Sequence, residues 1–170
     1  MNKVLLTGGS GYIGSHTCLR LLQKGYKVIV LDSCINSSSK ALKNVLKILN
    51  KEEKSKKNYV DFIKGDINDR EKLIEIFNKA IEDNEPISGV IHFAGLKSVN
   101  ESIQNPIKYW EANVSGTINL LSVMDLFNCN NIIFSSSATI YGLNKPEPVK
   151  ENTPIDPINP YGSTKATIEK

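Results

Sequence analysis

Tyr161 and Lys165 stand four residues apart in PYGSTK, inside the closing stretch INPYGSTKATIEK of a 170-residue sequence. On a helix, residues four apart share a face, so the Lys165 ammonium can reach the group that Tyr161 presents. Asn159 suits an N-cap and Pro160 a first helical position, which predicts a helix beginning at 160. The chemistry would be proton transfer. A free phenol has a pKa of about 10, so acting as a base at neutral pH requires a fall of about three units, roughly 4 kcal/mol. A cation about 6 Å away supplies on the order of 3 kcal/mol at an effective dielectric of 20. Tyr-x-x-x-Lys arises often by chance, so the pair gains its weight only from the elements that position it.

Those elements alternate. KVLLT (3–7), KVIVLD (27–32), YVDFIKGD (59–66), SGVIHFAG (88–95) and NIIFSSS (131–137) read as five apolar strands. Helix-length connections separate them, so the strands must cross over and run parallel, with helices on both faces. Val28 to Leu31 is apolar without alternation, as a strand buried on both sides requires. Gly25 is placed to cap the first helix, which runs to Leu22. A helix from about Asp69 is predicted to bury Leu73, Phe77, Ala80 and Ile81. A long helix opened by Pro106 carries Ile107, Trp110, Val114, Ile118 and Leu121 at spacings of three and four. The architecture expected is an α/β doubly wound parallel sheet, a single dinucleotide-binding (Rossmann-type) domain over 1–170.

Between the first strand and first helix lies TGGSGYIG. It fits G-x-G-x-x-G as Gly9, Gly11 and Gly14, and G-x-x-G-x-x-G as Gly8, Gly11 and Gly14. Either way the glycines allow a tight turn and close approach of backbone to a pyrophosphate, held by free N–H groups and the helix dipole. The position, after strand one and opening a helix, makes this a dinucleotide signal. No Gly-Lys-Ser/Thr ending is present, which argues against a nucleoside-triphosphate loop. Asp32 ends the second strand eighteen residues after Gly14. A carboxylate there can accept from both hydroxyls of an adenosine ribose and would repel a 2′-phosphate, so NAD is preferred over NADP. Asp66 and Ile67 lie where an adenine ring would rest; the alternative for Asp66 is a cap of the next helix. The positive nicotinamide ring could supply the rest of the tyrosine's pKa shift.

Composition bounds the remaining classes. The sequence is 40% hydrophobic and 23% charged, the balance of an ordinary globular domain. No apolar run approaches the ~20 residues of a membrane helix, and the N-terminus lacks the layout of a signal peptide. Cys18, Cys34 and Cys129 are widely spaced without Cys-x-x-Cys, which argues for free thiols and a cytoplasmic setting. His16 and His92 have no partners at ligand spacing, so no metal is expected. The net charge of +3 conceals a run, residues 40–57, with a balance of +5. Leu42, Val45, Leu46 and Leu49 fall at helical spacing there, and no aromatic residues interleave with the lysines. A solvated basic helix and a surface insertion around 50–58 are expected, with neither a nucleic-acid nor a membrane partner.

TGGSGYIGSH, VIHFAGLKSV, FSSSATIYG and PYGSTK together resemble the extended short-chain dehydrogenase/reductase family, in its order and from Val4 to Lys165. Within it, GLKSVNES and SSSATIYG are most similar to nucleotide-sugar 4-epimerases. The resemblance implies that Gly8, Gly11 and Gly14 form the pyrophosphate turn, with Tyr12 and Ile13 lending N–H groups. Asp32 and Asn36 would hold the adenosine ribose side, and Asp66 and Ile67 the adenine. Phe93, Ala94, Gly95 and Lys97 would line the cofactor, and Asn113 would contact it; the alternative for Asn113 is a satisfied polar residue at a helix–sheet contact. Ser137, Ala138 and Thr139 would meet the substrate with Tyr161, and Tyr161, Lys165 and Ser137 would be catalytic. Ser33 departs from the family's usual asparagine, which leaves one ribose contact in doubt.

The implied reaction interconverts UDP-galactose and UDP-glucose. Tyr161 takes the proton of the sugar's 4-hydroxyl while hydride passes from carbon 4 to NAD, and the 4-keto sugar turns over and takes it back. Lys165 would also bind the nicotinamide ribose. UDP-glucuronate or an N-acetylated UDP-hexose is an alternative substrate, and a non-catalytic NAD-binding module is the alternative from another class. A 4,6-dehydratase needs an acid and a base where this sequence has Ala138 and Thr139. The resemblance further implies a homodimer for the longer protein. It leads to the expectation that the 170 residues are the N-terminal part of a chain about twice as long, lacking the substrate domain and inactive alone.

Overall fold

The computed structural model describes residues 2–52, 60–143 and 147–170. The strands are β1 (Lys3–Thr7), β2 (Lys27–Asp32), β3 (Val60–Lys64), β4 (Ile87–His92) and β5 (Ile132–Phe134). All pair in parallel in the order β3-β2-β1-β4-β5. The helices are α1 (Tyr12–Gln23), α2 (Lys40–Glu52), α3 (Arg70–Glu82), α4 (Val99–Gln104), α5 (Pro106–Tyr109), α6 (Gly116–Leu126) and α7 (Pro160–Glu169). This is the doubly wound, Rossmann-type sheet that the alternation predicts. Most of the basic insertion around 50–58 lies outside the described residues.

The middles of β1 and β2 are apolar because neighbouring residues feed opposite cores. Leu6, Val28 and Val30 pack with Cys18 and Leu22 of α1 and with Leu42, Val45 and Leu49 of α2. Leu5, Ile29 and Leu31 pack with Leu73, Ile76 and Phe77 of α3 and with Leu120 and Val123 of α6. Full burial of each such side chain contributes about 1.5–3 kcal/mol. At the N-terminal end of the sheet, buried Lys3 meets Glu85 at 3.2 Å, and Glu85 also pairs with Lys27. This ties the starts of β1 and β2 to the α3–β4 turn. Gly25 ends α1 in the left-handed region at φ +85°, as placed. β3 and β5 are the sheet edges, and Ile133 of β5 is 64% exposed.

Two helix faces differ from those predicted. In α3 the residues buried are Leu73, Ile76, Phe77 and Ala80, while Ile81 is exposed. Ile81 sits one step past the 3.6-residue stripe that Leu73, Phe77 and Ala80 define. The larger correction concerns the long helix. Ile107, Trp110, Ile118 and Leu121 are exposed, and the buried side is instead Tyr109, Asn113, Thr117, Leu120, Val123 and Met124. Trp110–Ser115 is a π-helical turn between α5 and α6. Tyr109, Asn113, Thr117, Leu120 and Met124 keep spacings of three and four through it, so the apolar residues counted from the sequence mark a neighbouring stripe one residue away from the buried one. The polar Asn113 and Thr117 take the inner side.

Candidate active site

The strand order reverses between β1 and β4, and the C-terminal ends of the strands open there into a cleft of about 330 Å³. Each strand delivers a segment: Gly8–Gly14 after β1, Asp32–Ser37 from β2, Gly65–Ile67 after β3, Phe93–Lys97 after β4, and Ser135 and Ser136 after β5. Tyr161 and Lys165 of α7 close it.

The glycine turn is built by close approach. Gly8 has φ +68°, and a Cβ there would lie 2.6 Å from the Ala94 nitrogen. A Cβ on Gly14 would lie 2.4 Å from the Gly8 oxygen. The turn therefore sits against β4's exit, and α1 sits against the turn. No side chain caps the start of α1 and no acidic residue occupies its first turn, so its N–H groups and dipole suit an anion. Tyr12 and Ile13 stand exposed at the rim.

Asp32 is buried and organises this end. Its Oδ2 accepts from the Ser10 N–H at 2.8 Å, and its Oδ1 accepts from the Cys34 N–H at 2.9 Å and the Ser37 hydroxyl at 2.8 Å. A carboxylate has about four acceptor positions, so roughly one is left for a ribose hydroxyl rather than enough for two bonds and their alternatives. Asn36 and Ser33 lie beside it in the lining. Asp66 accepts from the backbone and side-chain N–H groups of Asn68 and lines the cleft with Ile67. The cap of α3 is Asp69, which accepts from the Lys72 N–H at 2.9 Å, so the capping alternative for Asp66 is replaced.

At the other end, α7 begins as predicted, with the Asn159 side chain accepting from the Gly162 N–H at 2.8 Å. Tyr161 is held from two sides. Its N–H donates to the Ser102 hydroxyl of α4 at 3.2 Å, and its ring meets the Tyr109 ring edge-on at 6.4 Å. Tyr109 is itself fixed, accepting from the Ser98 N–H and donating to Glu101. Burial, then the Glu101 carboxylate, pushes the Tyr109 phenol up, which keeps it neutral. Lys165 is 5% exposed, donates to the Ser135 carbonyl at 2.9 Å and lies 4.5 Å from the Phe134 ring centre. Burial pushes its ammonium down to about 8, so it is still charged at neutral pH. An ammonium has three donors, which leaves capacity for a ligand.

Phe93, Ala94, Gly95 and Lys97 line the cleft with the glycine turn, Tyr161 and Lys165. Four expected residues do not line it: Asn113, Ser137, Ala138 and Thr139. The Asn113 side chain, 1% exposed, accepts from the Leu96 N–H at 2.7 Å and donates to the Leu96 carbonyl and the Thr164 hydroxyl. Both its amide hydrogens and its oxygen are engaged, so it ties the β4–α4 loop to α7, close to the satisfied-polar alternative. Ser137 to Ile140 form a capped 3-10 turn next to the cleft, with the Ser137 oxygen accepting from the Thr139 N–H and hydroxyl. Both contacts use lone pairs of Ser137 and leave its hydrogen to give. Ser37, Ser102, Tyr109, Phe134 and Ser135 hold the key side chains; Ser37 and Tyr109 carried no motif signal, while Ser102, Phe134 and Ser135 lie within GLKSVNES and FSSSATIYG without an expected role.

Among the described residues, the buried side-chain polar atoms without a partner are the Ser10 and Ser136 hydroxyls. One belongs to the glycine turn and the other lines the lysine end. An orphan hydroxyl in the glycine turn and another in the cleft lining, with an uncapped helix start and a buried ammonium, fit an extended anionic dinucleotide. Comparison with known proteins agrees in kind. Residues 5–170 match the family model described as GDP-mannose 4,6 dehydratase. The chain is 44% identical to the UDP-glucose 4-epimerase of Bacillus subtilis (strain 168), over 98% of this chain and 46% of the relative. It resembles the crystal structure of UDP-glucose 4-epimerase from Stenotrophomonas maltophila with bound NAD and formylated UDP-arabinopyranose, with a TM-score of 0.88, 37% identity, and coverage of 99% of this chain and 47% of that one. The enzyme from Bifidobacterium longum in complex with NAD+ and UDP gives a TM-score of 0.87, 42% identity, and coverage of 99% and 47%. The chain spans about half the length of the curated relatives it matches.

Proposed function

The chain belongs to the GDP-mannose 4,6 dehydratase family, and on that premise we propose that it is the NAD-binding domain of a UDP-glucose 4-epimerase, which interconverts UDP-galactose and UDP-glucose through transient oxidation at sugar carbon 4. The observation that carries this reading is that one cleft joins the glycine turn and Asp32 to Tyr161 and Lys165. The relatives' names, and the NAD, UDP and formylated UDP-arabinopyranose bound in the similar structures, support it.

NAD, when bound, supplies the acceptor and donor of hydride. The α1 N-terminus would bind its pyrophosphate, and Asp32 would take one ribose hydroxyl and disfavour a 2′-phosphate. Lys165, held by Ser135 and Phe134, would bind the nicotinamide ribose. Tyr161, fixed by Ser102 and Tyr109, would take the proton from the sugar's 4-hydroxyl and return it. Ser137 and Thr139 would reach the sugar's oxygen from the 3-10 turn, Ser137 through its remaining hydrogen and Ala138 through contact alone.

The family's description names a dehydratase, but elimination needs an acid and a base near sugar carbons 5 and 6. The carboxylates lining this cleft are Asp32 and Asp66, both at the adenosine end. Epimerisation needs neither. The exposed face formed by Ile107, Trp110, Ile118 and Leu121 would pair two subunits of the longer protein. The test of the reaction joins this chain to the remaining length its relatives have. Formation of UDP-glucose from UDP-galactose, followed by proton NMR, is expected. Saturable NAD binding without conversion of any UDP-hexose would leave a non-catalytic module instead.

A further inference from the structure

We propose that His92, at the end of β4, is a positioning residue that fixes Lys165 and Tyr161 through one imidazole tautomer, Nε2–H. This rests on the reading of Tyr161 and Lys165 as the reacting pair. His92 is fully buried and carries no place in the reaction itself.

The hydrogen bonds around it allow one direction. The Thr117 hydroxyl donates to the Asn113 carbonyl at 2.5 Å, which uses its only hydrogen. It must therefore accept at 2.9 Å from His92 Nε2, which carries the proton. Nδ1 is then bare and accepts from the Thr7 hydroxyl at 2.6 Å, and that oxygen in turn takes the Ala94 N–H at 3.4 Å. The path continues from Asn113, whose side chain donates to the Thr164 hydroxyl at 3.1 Å, and Thr164 donates to the Tyr161 carbonyl at 2.7 Å. A continuous set of bonds thus runs from the exit of β1, beside the glycine turn, through the π-helical turn to the first turn of α7.

A second contact reaches the lysine. The His92 ring lies 5.7 Å from the Phe134 ring, the same ring on which Lys165 rests. A charged imidazole would break the path, because an Nδ1 proton would face the hydroxyl that now donates to it. It would also stand against the Lys165 ammonium. Burial, then the charge of Lys165, pushes the His92 pKa down to about 3, in keeping with a neutral hub. The arrangement explains why the buried side of the π turn is polar: Asn113 and Thr117 are the links between sheet and α7.

The test uses the 170-residue chain. Nitrogen NMR of the imidazole should show a single Nε2–H tautomer, and carbon NMR should place the Lys165 titration near 8. His92→Phe keeps a ring beside Phe134 but removes both hydrogen bonds; Thr117→Val removes the acceptor for Nε2 together with the hydroxyl's bond to the Asn113 carbonyl, and His92→Gln retains a donor and an acceptor. His92→Phe and Thr117→Val should move the Lys165 titration up by a unit or more and weaken NAD about tenfold, while His92→Gln restores the parent values within threefold. If His92→Phe fails to fold, Thr117→Val carries the test. An Nδ1–H or mixed tautomer, or an unmoved lysine titration in a folded Thr117→Val variant, overturns the proposal. The tautomer and the lysine titration are read without NAD, so failure of the parent to bind NAD would count against the function proposed above and not against this inference.

Discussion

Replacing Gly14 by alanine tests whether the glycine turn serves a ligand or only the fold. The new Cβ would meet the Gly8 oxygen at 2.4 Å and the Gly9 Cα at 2.7 Å, where ordinary contact begins near 3.4 Å. Both obstacles are backbone, so no rotamer change relieves them, and α1 must withdraw from the turn by about 1 Å. Overpacking of this kind costs about 1–3 kcal/mol of stability, here near the upper end. The same withdrawal lengthens the N–H contacts to a bound pyrophosphate. Each hydrogen bond to a charged group contributes about 1.5–3 kcal/mol, so losing one should weaken NAD by about ten- to a hundredfold. Gly25→Ala is the control. Its φ is +85° with no atom within 4 Å of the added carbon, so it should cost about 1–2 kcal/mol of stability through the backbone alone. Calorimetric titration of NAD, alongside thermal unfolding, separates the two. A folded Gly14→Ala chain that binds NAD within threefold of the parent would refute the reasoning, as would an equal loss in Gly25→Ala.

In the longer protein, Tyr161→Phe should leave NAD binding nearly intact and lower turnover by about a hundredfold or more, since only the proton carrier is lost; unchanged turnover would assign the proton elsewhere. His92 also sets a pH dependence. Its folded pKa of about 3 lies below the unfolded value of 6.5. Below pH 6.5 the unfolded chain therefore binds a proton that the folded chain refuses, and stability falls as pH drops toward 3. Between pH 7 and 5 this loss is about 2 kcal/mol, so urea unfolding should show the parent losing about that much more than His92→Phe. Trp110 and Ile118 carry the exposed apolar face; this chain joined to the remaining length its relatives have is expected to sediment as a dimer, and replacing both residues by serine should make it a monomer without lowering NAD affinity. An unchanged dimer would place the interface elsewhere.

What was legible in the sequence was local. Gly8 to Gly14, Asp32 and the start of α7 at Asn159–Pro160 declare themselves because each needs a particular residue type at a particular place on a strand–helix junction. The parallel order followed from helix-length connections between apolar runs. The face of the long helix was not legible, since polar Asn113 and Thr117 take the buried side while the apolar residues next to them are exposed. Asn113 looked available as a ligand contact, but its amide is spent on Leu96 and Thr164. Ser102, Tyr109, Phe134, Ser135 and His92 act through contacts between elements distant in sequence, for which spacing has no rule. Asp32 was placed correctly at the cleft, yet its engagement by Ser10, Cys34 and Ser37 depends on a loop conformation with Cys34 at φ 59°.

The cleft's cofactor choice is the claim from which the rest descends. Asp32 presents a buried carboxylate already holding three donors, with no arginine or lysine contacting it among the described residues. Calorimetric titration of NAD and NADP into the 170-residue chain should give saturable one-to-one binding of NAD, with NADP at least tenfold weaker, a difference of about 1.4 kcal/mol or more. Equal affinities, tighter NADP, or no saturable binding of either would contradict the account.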